Sequence, residues 1–369
     1  MEARRSALLR ALRREEAVDA PPQARILEAR VAAPFGGGEP VMWERLRLLP
    51  SFTSQDGFNL LVARPTQALG SPAVLLLHAT GKCKELVAEH LERWAQRGFL
   101  AVAFDAPFHG ERAEADVSLE RLGPDLSAEL LKSEPARLQI YYDNLTRGWR
   151  DGSERYVMDI ARDALLVVDY LSVRPDVLSE RLGVAGVSLG GMAVALLAAA
   201  DVRIRSAMPA IGVQSFHHSL VNDLWQARVD SVRPVFEAAA KDLGKAEIDQ
   251  EVVRAVWAQI APGLAEADES KEAAFDMPLT LPLIAPRHLL VLSGEKDPRC
   301  PLPGLRQCIA KAQEAYDRHE AKNHMDVFIE EGVPHRMTEN MWRRIDAFLE
   351  ATLSAEPAKK LAKRKLSSL

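Results

Sequence analysis

The sequence predicts an α/β protein: a mostly parallel central sheet with helices on both faces and helical cap insertions between its strands. Three observations predict it. Short, wholly apolar runs such as residues 73–77 (AVLLL) recur along the chain, as in strands buried on both faces of a parallel sheet. Helix-period segments alternate with these runs across short links. One run, residues 182–187, passes through a single serine straight into an Ala-rich helical segment, residues 189–200.

The elements follow in chain order. Residues 1–14 hold five arginines against one glutamate and form an amphipathic surface helix. After a Pro/Gly-rich connector at 32–40, residues 46–52 and 58–63 read as an entry hairpin around the turn Gln55-Asp56-Gly57. Strand 73–77 is followed by a helix at 84–96 that stops at Gly98, and then by strand 99–104. A helix at 156–171 has Ile160, Leu165, Val168 and Leu171 near helical spacing, with Pro175 beyond it. Strand 182–187, helix 189–200 and strand 204–210 form the centre, and strands 288–293 and 325–329 with a final helix at 338–353 complete the series.

Two long insertions interrupt this rhythm. The first, 111–155, is charged and carries Tyr141, Tyr142 and Trp149; the second, 212–286, has helical segments at 220–243 and 248–260. The expected organisation is therefore an N-terminal helical or extended segment at 1–45, a core at 46–211 and 287–353, a first insertion at 111–155, a helical cap at 212–286, and a basic disordered tail at 354–369. Aromatic and histidine side chains of the insertions, including His217, His218, Trp225 and Trp257, are candidates for a substrate cleft, although packing is their commoner use.

Composition removes several function classes. With 369 residues, 47% of them hydrophobic and 27% charged, the chain can build a sizeable core and is neither disordered nor a small disulfide scaffold. A net charge of -5 and a pI near 6.0 argue against a nucleic-acid partner. Cys83, Cys300 and Cys308 form no CxxC pair, which favours a reducing compartment and no zinc site. The longest apolar stretch, 192–200, is far below the ~18 residues of a membrane span. A cytoplasmic location is expected. The Arg-rich start as an organellar presequence, and the terminal Ser-Ser-Leu as a variant of the peroxisomal Ser-Lys-Leu address, are the alternatives.

The chemistry centres on Gly186-Val187-Ser188-Leu189-Gly190-Gly191, a G-x-S-x-G element between strand and helix. Only small neighbours leave room for so sharp a turn, which lifts the Ser188 hydroxyl above the sheet at a helix N-terminus. A serine hydroxyl is a weak nucleophile until a base takes its proton, so an acid and a histidine must follow. Asp297 lies just beyond strand 288–293, with Glu295 as a competing acid, and His335 lies after the last strand. His319 and His324 fall at the opposite end of that strand. The oxyanion donors are the backbone N–H of Leu189 and that of Thr80, in His78-Ala79-Thr80-Gly81. His78, Asp105 and His109 read as braces of their loops, and Cys83 as a spectator thiol.

Together with HATGKCKE, DAPFHGERA, IGVQSF and GEKDPRCPL, these residues give a chain that resembles the α/β-hydrolase superfamily of serine hydrolases. It is similar to the dienelactone hydrolases, acetyl-xylan esterases and prolyl-oligopeptidase-like domains, and more closely to a little-characterised group of plant and microbial α/β-hydrolases, over about residues 70–350. The resemblance implies nucleophile, acid, base and oxyanion roles for Ser188, Asp297, His335, Leu189 and Thr80. Dienelactone hydrolases proper use a cysteine nucleophile, so lactone specificity is not implied. The expected activity is hydrolysis of a small-molecule carboxylic ester through an acyl-enzyme, without cofactor or metal. A peptidase, a thioesterase or an acyltransferase would use the same residues, and a non-catalytic binding protein of this fold would keep them without turnover. No motif speaks to oligomeric state.

Overall fold

The computed structural model describes residues 1–13, 21–32, 35, 37–49, 57–67, 70–113, 118–153 and 156–354. The turn at 55–56 and the tail from residue 355 lie outside them. Helix α1 (Glu2–Arg13) precedes strands β1 (Gln23–Ala32), β2 (Val41–Leu49) and β3 (Phe58–Pro65), which pair antiparallel in sequence order. Then come β4 (Ser71–Leu77), a 3₁₀ turn at Lys84–Val87 running into α2 (Ala88–Gln96), and β5 (Leu100–Phe104). The first insertion forms α3 (Pro124–Asp151), followed by α4 (Val157–Val173), β6 (Val177–Val187), α5 (Leu189–Ala200) and β7 (Ile204–Ala210). The second insertion folds as α6 (Phe216–Val221), α7 (Gln226–Asp230), α8 (Arg233–Asp242), α9 (Gln250–Ile260) and α10 (Met277–Thr280). The chain returns through β8 (His288–Gly294), α11 (Leu302–Arg318), β9 (Met325–Glu330) and α12 (Glu339–Leu353).

The nine strands form one sheet in the order β1-β2-β3-β5-β4-β6-β7-β8-β9, parallel from β5 to β9 and antiparallel before that. The apolar runs are buried on both faces, and alternation sorts them. Leu75, Leu77, Val184, Leu289 and Val291 pack under α4 and α5, while Val74, Leu76, Ala185, Leu290 and Leu292 pack under α2 and α12.

Several elements differ from the sequence reading: the first insertion is largely the single helix α3, and β2 begins at Val41 instead of residue 46. Strand β1 was not expected: it adds an edge to the sheet, and its large apolar residues Ile26, Leu27 and Val31 are exposed, so no buried apolar face marks it in the sequence. Helix α11 was not expected either, because its buried stripe of Gly304, Leu305, Cys308, Ala312, Ala315 and Tyr316 is mostly small. Helix α1 is more than a surface decoration. Leu8 and Leu12 are fully buried, Arg13 pairs with Asp169 at 3.2 Å, and Arg5 donates to the carbonyl of Leu283 at 2.6 Å.

Candidate active site

The turn from β6 into α5 holds Ser188 at φ 54°, ψ -109°, a conformation that a side-chain-bearing residue adopts at a cost of about 1–3 kcal/mol. Surrounding contacts enforce it. The Ser188 amide donates to the Ala210 carbonyl at 2.8 Å, and the start of α5 presses against the end of β4. A Cβ at Gly190 would lie 2.4 Å from the Leu77 carbonyl oxygen and 2.7 Å from that of His78, so only glycine permits this approach. The same approach sets the Leu189 end of α5, whose first N–H groups have no intrahelical acceptor, beside the loop that carries Thr80.

Two further loops meet this elbow. After β8 the chain turns at Asp297, and after β9 it turns at His335; the two turns cross so closely that a Cβ at Gly294 would lie 2.2 Å from the Val333 carbonyl oxygen. Backbone bonds fix the crossing, from the Lys296 amide to Val333 and from the Glu295 amide to Glu330, both 2.9 Å. Asp297 is 2% exposed; its Oδ1 accepts from the amides of Arg299 (2.8 Å) and Cys300 (3.2 Å). Its Oδ2 accepts from His335 Nδ1 at 2.7 Å, and Ser188 Oγ lies 2.8 Å from His335 Nε2. Because Nδ1 faces a carboxylate, the neutral imidazole carries its proton there and offers Nε2 to the serine hydroxyl.

Burial pulls the His335 pKa below its ordinary value. Asp297 opposes this shift, and Arg228 and Arg299 reinforce it. The imidazole thus stays an acceptor at mildly acidic pH. Glu295, the competing acid of the sequence reading, is exposed and accepts instead from the Gly332 amide at 2.9 Å. His324 hydrogen-bonds the Pro286 carbonyl, just before the first residue of β8 and away from the elbow.

The loop after β4 that carries Thr80 is braced from behind. His78 Nδ1 donates to the Ala79 carbonyl at 2.9 Å and Nε2 accepts from the Ala106 amide at 3.0 Å, which holds the ring neutral; burial lowers its pKa. Asp105 accepts from the amide and the ammonium of Lys84 at 2.8 and 2.7 Å. Burial works against the Lys84 charge, but Asp105, Glu85 and Glu111 outweigh it and raise the pKa. Burial pins His109 near a pKa of about 3 and pushes the Cys83 thiol upward, so neither is a base or a thiolate at neutral pH. Cys83, Glu85 and Asp105 bring ligand atoms within 4.8 Å of one another, yet the Lys84 ammonium already bonds both carboxylates at 2.7 Å.

Ser188 and His335 open into a cavity of 610 Å³. Thr80 and Lys82 of the loop after β4, Leu131 and Glu134 of α3, and Trp342 of α12 contribute to its wall. Lys82 and Glu134 form an ion pair that ties α3 to that loop. None of Tyr141, Tyr142, Trp149, His217, His218, Trp225 and Trp257 lines this cavity. Tyr141 and Trp257 are core residues instead. Sequence reasoning missed the wall residues Leu131, Glu134, Arg299 and Trp342; of these only Arg299 sat within a recognised motif, GEKDPRCPL.

Residues 58–229 match the sequence profile of the dienelactone hydrolase family, a span that holds Ser188 and Thr80 but ends before Asp297 and His335. Among solved structures, acetyl xylan esterase 1 from Thermoanaerobacterium sp. JW/SL YS485 is 18% identical, with 96% of this chain and 94% of that one covered at a TM-score of 0.57. The chain has the α/β-hydrolase fold. A glucuronoyl esterase from Solibacter usitatus aligns with this chain at 15% identity, covering 95% and 92% of the two chains at a TM-score of 0.60. An acetyl xylan esterase from Paenibacillus sp. R4 does so at 16% identity, 94% and 92% coverage and a TM-score of 0.55. No curated protein sequence matches the chain. Among the described residues, no helix of the chain is long and apolar enough to cross a membrane.

Proposed function

We propose that the protein is a serine hydrolase of small-molecule carboxylic esters, working through an acyl-enzyme on Ser188. The observation that carries this reading is the unbroken run of hydrogen bonds from Ser188 Oγ to His335 Nε2 (2.8 Å) and from His335 Nδ1 to Asp297 Oδ2 (2.7 Å), opening into the cavity. The ester hydrolases among the structural neighbours support the same reaction class.

Ser188 Oγ attacks the acyl carbon while its proton passes to His335 Nε2. Negative charge gathers on the former carbonyl oxygen, where the Leu189 and Thr80 amides donate to it; losing one such donor costs about 3 kcal/mol in barrier. Asp297 fixes the imidazole tautomer and stabilises the imidazolium. His335 then returns the proton to the departing alcohol, leaving an ester on Ser188. A water molecule, deprotonated by His335, attacks this ester; the acid leaves and Ser188 regains its proton. No step in this scheme calls on a metal or a cofactor.

The test is a fluorophosphonate probe followed by peptide mapping, with p-nitrophenyl esters of increasing acyl length run in parallel. Labelling confined to Ser188 and turnover of short esters are expected. A folded protein that neither labels nor turns over any ester of the panel would remove the reading and leave a binding protein of this fold.

A further inference from the structure

Arg228 stands on α7, in the second insertion, and is 4% exposed. Among the described residues it forms no ion pair with a carboxylate, and a buried guanidinium in that state is costly unless its donors are otherwise used. Its bonds converge on one place. Nη2 donates to the Arg299 carbonyl at 2.9 Å and lies 3.6 Å from Cys300 Sγ. Gln214, in the orientation that satisfies both ends of its amide, accepts from Arg228 Nε and Nη2 at 3.0 and 3.1 Å and donates to the same Arg299 carbonyl at 2.6 Å.

Arg299 and Cys300 are the residues whose amides Asp297 Oδ1 accepts. The segment is therefore gripped from both sides, by the acid on its amides and by Arg228 on its carbonyl and thiol. Resting on the triad proposed above, we infer that Arg228 is a positioning residue: it clamps the turn that carries Asp297 and sets a buried positive charge behind Asp297 and His335. It does not line the cavity, so it acts through the turn and not on the substrate.

The charged and titratable groups around His335 are Asp297, Arg299 and Cys300 on the acid turn, Arg228 behind it, Arg336 beside it, and His78, Glu85, Glu89 and His90 with the Lys82–Glu134 pair lining the cavity. Asp297 favours the imidazolium, whereas Arg228 and Arg299 disfavour it. Removing the Arg228 charge should therefore raise the pH at which the imidazole becomes neutral.

The test compares pH profiles of kcat and kcat/KM for a short p-nitrophenyl ester in wild type, Arg228→Met and Arg228→Lys, with circular dichroism to confirm folding. Arg228→Met is expected to lower kcat by up to about 10²-fold, the range that small misplacements of reacting groups produce. KM should stay unchanged, and the acid limb of kcat/KM should move to higher pH. Arg228→Lys keeps the charge but not the forked grip, so it should lose kcat while holding the wild-type limb. A folded Arg228→Met protein with wild-type kcat and limb would overturn the inference. Should Arg228→Met not fold, Arg228→Lys decides alone: a displaced limb or an undiminished kcat overturns it. Fluorophosphonate labelling of Ser188 in wild type keeps the outcomes apart, because its absence would sink the triad reading itself.

Discussion

The two insertions are similar in kind and opposite in use. The first, through α3, reaches over the carboxyl ends of the strands, and its Ser127, Leu131 and Glu134 form part of the cavity wall. The second, through α6 to α10, contributes no wall residue to that cavity, although it was the segment expected to cap the site. It packs instead against α3, α5 and α11 and sends Arg228 to the acid turn. An insertion can thus serve a site by shaping the volume a substrate enters, or by holding the groups that react with it.

Neither insertion supplies a reacting group under this division, so the largest losses must come from the core. Ser188→Ala and His335→Ala should each lower kcat/KM by roughly 10⁴-fold or more with folding intact, Asp297→Asn somewhat less, and the losses should be strongly non-additive. Full activity in a folded Ser188→Ala protein would break the scheme.

The second insertion should answer to stability. Asp276 is fully buried and accepts from Ser215 Oγ (2.6 Å) and from the amides of Phe216 (2.8 Å), His217 (3.2 Å) and Met277 (2.9 Å), pinning both ends of the insertion together. Asp276→Ala strands those donors and should cost on the order of 3 kcal/mol in chemical denaturation, with the ester preference of the folded fraction unchanged. A shift in preference without loss of stability would contradict the assigned roles.

The first insertion should answer to selectivity. Leu131→Trp on the cavity wall should reduce kcat/KM for long acyl esters by about 10-fold, the scale of a few methylenes' worth of pocket contact, while short esters and the thermal midpoint stay as they are. Equal loss on all chain lengths would mean that α3 disturbs the reacting groups as well.

The smallest effect is one of pH. Burial holds the His335 pKa below its ordinary 6.5, so the imidazole loses its proton earlier on raising pH. Activity requires the neutral form, and the acid limb of kcat/KM should therefore have its midpoint below 6.5. A midpoint at or above that value would show that the free protein does not hold His335 as described.

What was legible in the sequence follows from the same physics. Strands β4, β5, β6 and β8 announced themselves through the short apolar runs that burial on both faces demands, and the elbow did so because its close approach to β4 tolerates only glycine at residue 190. That Asp297 and His335 stand just past β8 and β9, within reach of Ser188, was readable from their places in the chain. Strand β1 was not, since Ile26 and Val31 are 62% and 54% exposed and nothing in its pattern signals burial. Arg228 had no local signal at all: its role comes from a carbonyl 71 residues away that only the folded path brings near.

The central claim is that an acyl group passes through Ser188. The direct test is to mix the protein with an excess of a short p-nitrophenyl ester, quench in acid during turnover, and map the acyl mass by peptide. The account predicts a transient ester on the Ser188 peptide, absent in Ser188→Ala, at an occupancy that tracks the initial release of p-nitrophenol. Rapid turnover with no acyl mass on that peptide, or acyl mass on another side chain that persists in Ser188→Ala, would contradict it.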